Sequence, residues 1–503
     1  MMYVHNALLG FSPRISAIVI IAGRESPTLG RTQTRTPVNA RFKPARTTIA
    51  SYAAIRRDCR HDDRMPATKI AIPMKILHVA DFLPGLHNIA GGAEFATLRT
   101  IEEQVAAGLE VEVATLPIVH QEARRGWSRH HEYRNIDPLA PRLAYAVKQL
   151  YFPGDALASA GVAAIIAKSR PDVVHFHNLH FSGLSVVGKA QAAGVASAWT
   201  IYDYWVFCPS FMLLTSSGEL CVRGHGAHCV DCIGVRRARA LRPLKRALFD
   251  IRPSQFSPPV ASVDRLVALS DASRDLLVGH GVEPSRIAVL PQYLWNEAAV
   301  ANDGNVPEPG RLLYVGWVEQ RKGLHVVVEA MGQLADEFPD LHLDVLGMAA
   351  NVDYQKLVDA RVRELGLAQR VRVRGKTGRA ELIAELRCAF LVTIPEQWEN
   401  MSPVILAEAM AAGACVLASR IGGIRHIVED RRSGLLAERD DPREFAECIR
   451  WAMHNRQRVI EMGKAARARA ASLFDPAVIN RRTVEMYQSI IRPARREQAR
   501  DRT

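Results

Sequence analysis

The chain has no long hydrophobic run: across 503 residues the longest apolar candidate, Ile15 to Ala22, is broken by Ser16 and has no basic segment before it. A helix that crosses a bilayer needs about 20 apolar residues, so the expectation is a protein that is neither integral nor secreted. Cysteine is scarce, at 8 residues, of which four cluster while Cys59, Cys388, Cys415 and Cys448 are scattered. That usage excludes a disulfide scaffold and suits a reducing cytoplasm. Acidic residues are in deficit, 52 against 65 Lys and Arg, giving a formal net charge of +13. Residues 1–73 hold 12 Lys/Arg against 4 Asp/Glu and so carry 8 of those 13 charges. The remaining body is only mildly basic, and no nucleic-acid partner is expected.

With 48% apolar residues over this length, the chain can bury two cores. Residues 1–73 mix Arg, Thr, Pro and Ala without periodicity and read as a disordered basic extension, with a targeting or nucleic-acid arm as the other reading. Met74 to Ala80 opens like the first strand of an α/β domain, and strand-like runs follow at Val111–Leu116, Asp172–His177, Ala196–Ile201 and Arg265–Leu269, with Ala-rich helical stretches between. A second series runs Arg311–Val315, His342–Leu346, Val371–Val373, Phe390–Ile394 and Cys415–Ala418. Alternation of this kind predicts parallel sheets with helices on both faces, hence two Rossmann-like domains, 74–295 and 311–475. The polar stretch 296–310 is the expected linker, and 476–503 a C-terminal helix and basic tail. A cleft at the carboxyl ends of the two sets of strands is the expected ligand site.

Three loops carry candidate chemistry. Gly91-Gly92-Ala93-Glu94 follows the first strand, where paired glycines admit a sugar or phosphate and Glu94 can take an acceptor hydroxyl. Gly316-Trp317-Val318-Glu319-Gln320-Arg321-Lys322-Gly323 offers Lys322, and Arg321 beside it, to a departing diphosphate. Trp398-Glu399-Asn400-Met401-Ser402-Pro403 runs into a helix carrying Glu408, with Ser402 as expected N-cap and Pro403 in the first turn. Amides at that helix start favour an anion, and Glu408 can accept two bonds from a ribose diol. His175, His177, Asn178 and His180 crowd another strand end on the acceptor side and read as weak metal candidates.

Two further segments stand outside this cleft chemistry. Cys208, Cys221, Cys229 and Cys232, with His225 and His228 among them, have intervals that suit one structural zinc in an insertion over about 205–255, against free or redox-active thiols. Arg236, Arg237, Arg239, Arg242, Lys245, Arg246 and Arg252 interleave with Val235, Ala238, Leu241, Leu244, Leu248 and Ile251, a basic amphipathic helix that either meets an anionic membrane face or packs as a solvated helix.

The loop motifs resemble those of retaining glycosyltransferases with two Rossmann-like domains, the GT-B type of glycosyltransferase family 4, or group 1. Similarity covers residues 74–490 and is strongest from Tyr314 to Leu436, where Gly422-Gly423 and Ser433-Gly434-Leu435-Leu436 match closing segments. The family has seven residues between its two glutamates, whereas eight separate Glu399 from Glu408, so either Glu399 or Asn400 stands at the sugar position. Trp317 stands where the family has Arg, and Tyr202 where it commonly has a His that bonds the donor sugar; Tyr202 can also donate such a bond.

The resemblance implies a cytoplasmic hexosyltransferase, with membrane association on the cytoplasmic face as a further reading, that uses UDP- or GDP-sugar and a saccharide or lipid-linked saccharide acceptor, in surface polysaccharide or glycolipid assembly, with no cofactor required for catalysis. It places Tyr202, Lys322 and Glu399 at the chemistry. Gly316, Arg321, Lys322, Glu399, Asn400, Met401, Ser402 and Glu408 fall around the donor, and Gly91, Gly92, Glu94 and His177 on the acceptor side. Alternative readings are a catalytically weak sugar-nucleotide-binding scaffold and a sugar-nucleotide epimerase, although no acid and histidine set suited to proton abstraction is evident.

Overall fold

A computed structural model describes residues 74–88, 91–120, 126–136, 141–233, 241–294 and 307–491. The extension 1–73, most of the linker, residues 234–240 with three of the basic-helix arginines, and the tail from 492 lie outside the described residues.

The first strand series forms one seven-stranded parallel sheet: β1 (Lys75–Val79), β2 (Glu110–Thr115), β3 (Arg129–Glu132), β4 (Val173–Phe176), β5 (Ala196–Thr200), β6 (Arg265–Ala268) and β7 (Ile287–Val289). Their order is β3-β2-β1-β4-β5-β6-β7. The second series gives β8 (Arg311–Val315), β9 (His342–Leu346), β10 (Val371–Gly375), β11 (Leu391–Ile394), β12 (Val416–Ser419) and β13 (Leu435–Ala437), ordered β10-β9-β8-β11-β12-β13. The central strands such as β4, β8, β11 and β12 read as near-continuous apolar runs because helices cover both faces, whereas the edge strands β3 and β10 are polar, and each sheet has a separate buried cluster on either side.

In both sheets the chain moves outward from its first strand and then crosses back beside it. The switch points are therefore β1/β4 and β8/β11, and ligand crevices form beyond the carboxyl ends of those pairs. Glu94 and His177 follow one switch point; Lys322 and Asn400 follow the other. Register does the finer placement: His78 on β1 pairs with His175 on β4, so these rings meet on one face of the sheet.

The two sets of loops touch. Gln292 Nε2 donates to Ser402 O at 3.1 Å, and a Cβ on Gly92 would rest 3.5 Å from Val404 Cγ2. Trp398 and Met401 are buried in one cluster with Tyr204 and Leu269. The C-terminal helix Pro476–Ile490 returns to the first sheet, where Asn480 Nδ2 donates to Glu103 O at 3.3 Å. Among the described residues no helix is long and apolar enough to cross a membrane.

Two expectations need correction. The helix bearing Glu408 is Val404–Ala411, with Pro403 (φ −63°, ψ 123°) at the N-cap, so Ser402 lies outside it. Pro403 is extended and cannot open the first turn, and the Ser402 hydroxyl meets Gln292 Nε2 at 3.3 Å. In the helix Arg242–Ser262 the expected apolar stripe faces out, with Leu241, Leu244 and Ile251 exposed, while Phe249, Arg252, Phe256 and Val260 form the buried face. Arg252, read as part of a charged surface, is an interior residue.

Candidate functional site

On the second domain, glycine sets the geometry. Gly323 has φ 71°, and any Cβ there would overlap Pro395 O, so the β8 loop is pressed against the end of β11. This approach brings Lys322 Nζ onto Glu396 Oε1. Glu396 is buried, its Oε1 also accepts from Asn400 Nδ2 at 3.0 Å, and its Oε2 accepts from Trp398 Nε1 at 2.7 Å. One carboxylate thus orients the cation, the amide and the indole. The sequence reading missed Glu396; its signal was an acid directly beyond a central strand at a switch point.

Glu399 and Asn400 take different places. Glu399 Oε2 accepts from Gly422 N at 2.9 Å, bracing its own loop against Gly422-Gly423, where a Cβ on Gly423 would overlap Met401 O. Asn400 points toward Lys322 through Glu396, and its Oδ1 accepts from Ser402 N at 3.3 Å. Met401 turns its side chain into the core shared with the first domain.

Arg321 pairs with Glu319 at 2.8 Å, lies 5.0 Å over the Trp398 ring and is near enough to Asp203 for attraction across the cleft. Glu408 is buried and ion-paired with Arg379 Nη1, a second residue the sequence did not suggest. Gly316 (φ 150°) donates its N–H to Leu346 O at 3.0 Å, fixing the turn before Trp317.

On the first domain, Gly91 N and Asn178 Nδ2 donate to the two oxygens of Glu94 at 2.7 and 2.8 Å, so that carboxylate knits the β1 and β4 loops together. The loop after β4 is held further by buried Asp81, whose Oδ2 accepts from Phe181 N at 2.6 Å and whose Oδ1 accepts from Ser182 N at 3.0 Å; burial raises its pKa to about 6. His180 and Asp203 pair at 2.9 Å at the mouth of a small cavity that His177, Tyr202 and Trp205 also line.

Behind Tyr202 lies a buried chain of hydrogen bonds. His78 Nε2 faces Gln104 Oε1 at 3.0 Å, so it carries the proton and leaves Nδ1 as an acceptor for His177 Nε2–H at 2.8 Å. His177 Nδ1 then accepts from the Tyr202 hydroxyl at 3.2 Å. Gln104 Nε2 donates to Tyr487 OH at 3.0 Å, and Tyr487 donates to His175 Nδ1 at 2.6 Å, leaving His175 Nε2–H for Thr200 Oγ1 at 2.8 Å.

All three imidazoles are neutral: burial lowers His78 to about 4 and pushes His175 and His177 well below the usual value. Their ligand atoms lie within 4.8 Å of one another, and each ring nitrogen has a protein partner, His78 and His177 being partners of each other. Expected on the acceptor side, His177 stands one layer behind it. Tyr202 spends its proton on His177 and its oxygen accepts from Thr97 Oγ1 at 3.2 Å, so the hydroxyl is engaged within its own domain, where the sequence suggested a donor to the sugar.

Tyr487→Phe removes one hydroxyl and leaves His175 Nδ1 and Gln104 Nε2 without their partner. The expected loss is about 1 to 3 kcal/mol in urea unfolding. Unchanged stability would show that the C-terminal helix docks without this bond.

Residues 91–292 match a family described as glycosyl transferase 4-like domain, and residues 297–469 match glycosyl transferases group 1. A D-inositol 3-phosphate glycosyltransferase of Streptomyces avermitilis is 30% identical over 257 residues, 47% of this chain and 54% of that protein. A glycogen synthase of Mycobacterium tuberculosis is 26% identical over 338 residues, 66% of this chain and 72% of that protein. The chain thus spans about half the length of the D-inositol 3-phosphate glycosyltransferase it matches. The solved structure of Anabaena HepE in complex with UDP-glucose superposes with a TM-score of 0.58 at 17% identity, covering 83% of this chain and 100% of that one. With both halves matched and two parallel sheets facing across one cleft, the chain belongs to the group 1 glycosyltransferases of the two-Rossmann-domain, GT-B type.

Proposed function

We propose that this protein transfers a hexose, with retention at the anomeric carbon, from a UDP- or GDP-sugar to a saccharide or lipid-linked saccharide. The observation that carries this reading is the Lys322–Glu396–Asn400 cluster at the second switch point, facing Glu94 and Tyr202 on the first. The bond between the sugar's anomeric carbon and the diphosphate breaks while the acceptor oxygen bonds to the same face of that carbon. The acceptor's proton passes to the departing phosphate oxygen. Charge therefore grows on the diphosphate, where the Lys322 ammonium counters it. Glu408 with Arg379 suits the ribose, and Asn400 a sugar hydroxyl. The UDP-glucose bound in the HepE structure supports a uridine donor.

A lipid-linked acceptor fits the helix Arg242–Ser262, which exposes Leu241, Leu244 and Ile251 beside Arg242 and Arg246. Co-sedimentation with vesicles containing anionic lipid, and not with neutral ones, is the expected outcome; equal absence from both removes the membrane from the proposal.

A thermal-shift screen of nucleotide sugars, followed by product analysis with saccharide acceptors, tests the activity. One sugar nucleotide should stabilise the protein and yield an α-linked product. Binding with neither transfer nor hydrolysis would leave the scaffold reading, and free nucleotide released without a glycosylated product would favour an epimerase.

A further inference from the structure

Arg252 is fully buried, and its hydrogen bonds go to neutral groups: Nε donates to Leu150 O at 2.9 Å, Nη2 to Trp205 O at 2.6 Å, and Nη1 to His225 Nδ1. Its carbon Cζ stacks 3.5 Å over the Phe256 ring. It forms no ion pair with a carboxylate among the described residues. A guanidinium cannot shed its proton at ordinary pH, and a buried charge with no counter-charge is among the costliest arrangements a fold can hold. The acidic groups of the segment it meets through His225 are the thiols of Cys221 and Cys229, which flank that histidine in the chain. As neutral thiols they supply no charge; as metal-bound thiolates they do.

The cysteine lobe carries the donor chemistry of a four-sulfur metal site. Cys208, Cys221 and Cys229 are buried, and no thiol among the described residues is in a disulfide. The sulfurs of Cys221 and Cys229 approach one carbonyl, Gly224 O, at 3.8 and 4.0 Å. Gly226 N–H donates to Cys229 Sγ at 3.4 Å, a kind of bond that thiolates accept far better than thiols. Cys229 and Cys232 bound a single helical turn, and the bonds Cys221 N–H to Leu213 O at 2.7 Å and Phe211 N–H to Cys208 O at 2.8 Å set Cys208 and Cys221 on adjoining stretches. The sulfurs have not closed to the spacing of the three histidines, and a tetrahedral shell with Zn–S of about 2.3 Å requires them to turn inward. His225 Nδ1 accepts from Arg252, so its proton sits on Nε2 and neither nitrogen offers a free lone pair, and four sulfurs complete a tetrahedral shell without His228. Phe211 (φ 54°) and Leu213 (φ 52°) sit in left-handed conformations in the same segment, as expected of a loop held by a staple.

We infer that Cys208, Cys221, Cys229 and Cys232 hold one structural Zn²⁺ and that buried Arg252 is the counter-charge of this tetrathiolate. Four thiols each release a proton as the ion binds, so the site carries two negative charges, one of which Arg252 offsets. Through Trp205 O the same guanidinium ties the lobe to the cavity where His180 and Asp203 pair, so the ion fixes the acceptor-side wall from behind and takes no part in the chemistry.

Full-length protein purified under reducing, chelator-free conditions should contain about one zinc per chain by elemental analysis. Cobalt substitution should give the thiolate-to-metal charge-transfer bands of a tetrahedral four-sulfur site. Cys229→Ser and Cys232→Ser should each lose the metal. Arg252→Met, which keeps the length and loses the charge, should surrender zinc to a competing chelator about tenfold faster than wild type, and Arg252→Lys at an intermediate rate. Metal-free wild-type protein that also fails to take up added zinc overturns the site. Metal retained in Cys229→Ser overturns the donor set, and unchanged zinc release from Arg252→Met overturns the counter-charge. None of these readings depends on the transfer reaction.

Discussion

Lys322→Ala should lower turnover by about ten- to a hundredfold, the loss of one charge-assisted contact worth about 1.5 to 3 kcal/mol in the transition state. The effect should fall on the rate constant more than on donor binding, because negative charge on the diphosphate develops as the glycosidic bond breaks. Lys322 is also the cation on buried Glu396, so the alanine variant strands a carboxylate held only by Trp398 and Asn400. Some stability will be lost with the activity. Glu396→Gln separates the two effects, since it keeps an acceptor for Trp398 or Asn400 and frees Lys322 to wander. If catalysis rests on a positioned lysine, Glu396→Gln loses turnover with little change in unfolding, and the double variant is no worse than Lys322→Ala. Unchanged transfer in Lys322→Ala would move the diphosphate clamp to Arg321, which faces Asp203 across the cleft.

The fold was legible because it is written locally. Apolar strands such as Lys75–Val79 and Arg311–Val315 are bounded by glycine-rich loops and separated by helical stretches, and burial on both faces removes the need for alternation. The loops beyond those strands were legible for the same reason: Gly91, Gly92 and Gly323 announce close approach. Partnerships between distant positions were hidden. Glu396 meets Lys322 across 74 residues, Arg379 meets Glu408 across 29, and Tyr487 meets His175 across 312. Each is a contact between elements that only the assembled sheets bring together.

Arg252 shows the same limit from the other side. On a helical wheel its charge suggests solvent, yet it follows Phe249 by three positions and precedes Phe256 by four, which puts it on their buried face. Ser402 misled for a local reason: Ser-Pro resembles an N-cap and first turn, but Pro403 adopts an extended ψ and the helix begins one residue later.

The irregular glutamate spacing has a decidable answer, and the structure favours the amide. Asn400→Ala should lower kcat/KM by roughly tenfold, since Asn400 is bonded to the carboxylate that holds Lys322 and stands eight positions before Glu408. Glu399→Gln should change it by less than about twofold, because the glutamine oxygen can still accept from Gly422 N–H. Glu399→Ala removes that brace and should cost stability before it costs chemistry. Glu408→Gln is the control: it weakens the pair with Arg379, should raise the donor's KM with kcat nearly unchanged, and should weaken free nucleotide as much as nucleotide sugar. A larger loss from Glu399→Gln than from Asn400→Ala would assign the sugar to Glu399 and reduce Asn400 to a support for Glu396. Negligible effects from Asn400→Ala, Glu399→Gln and Glu408→Gln together would show that the donor does not bind at this loop and helix, whatever Lys322 does.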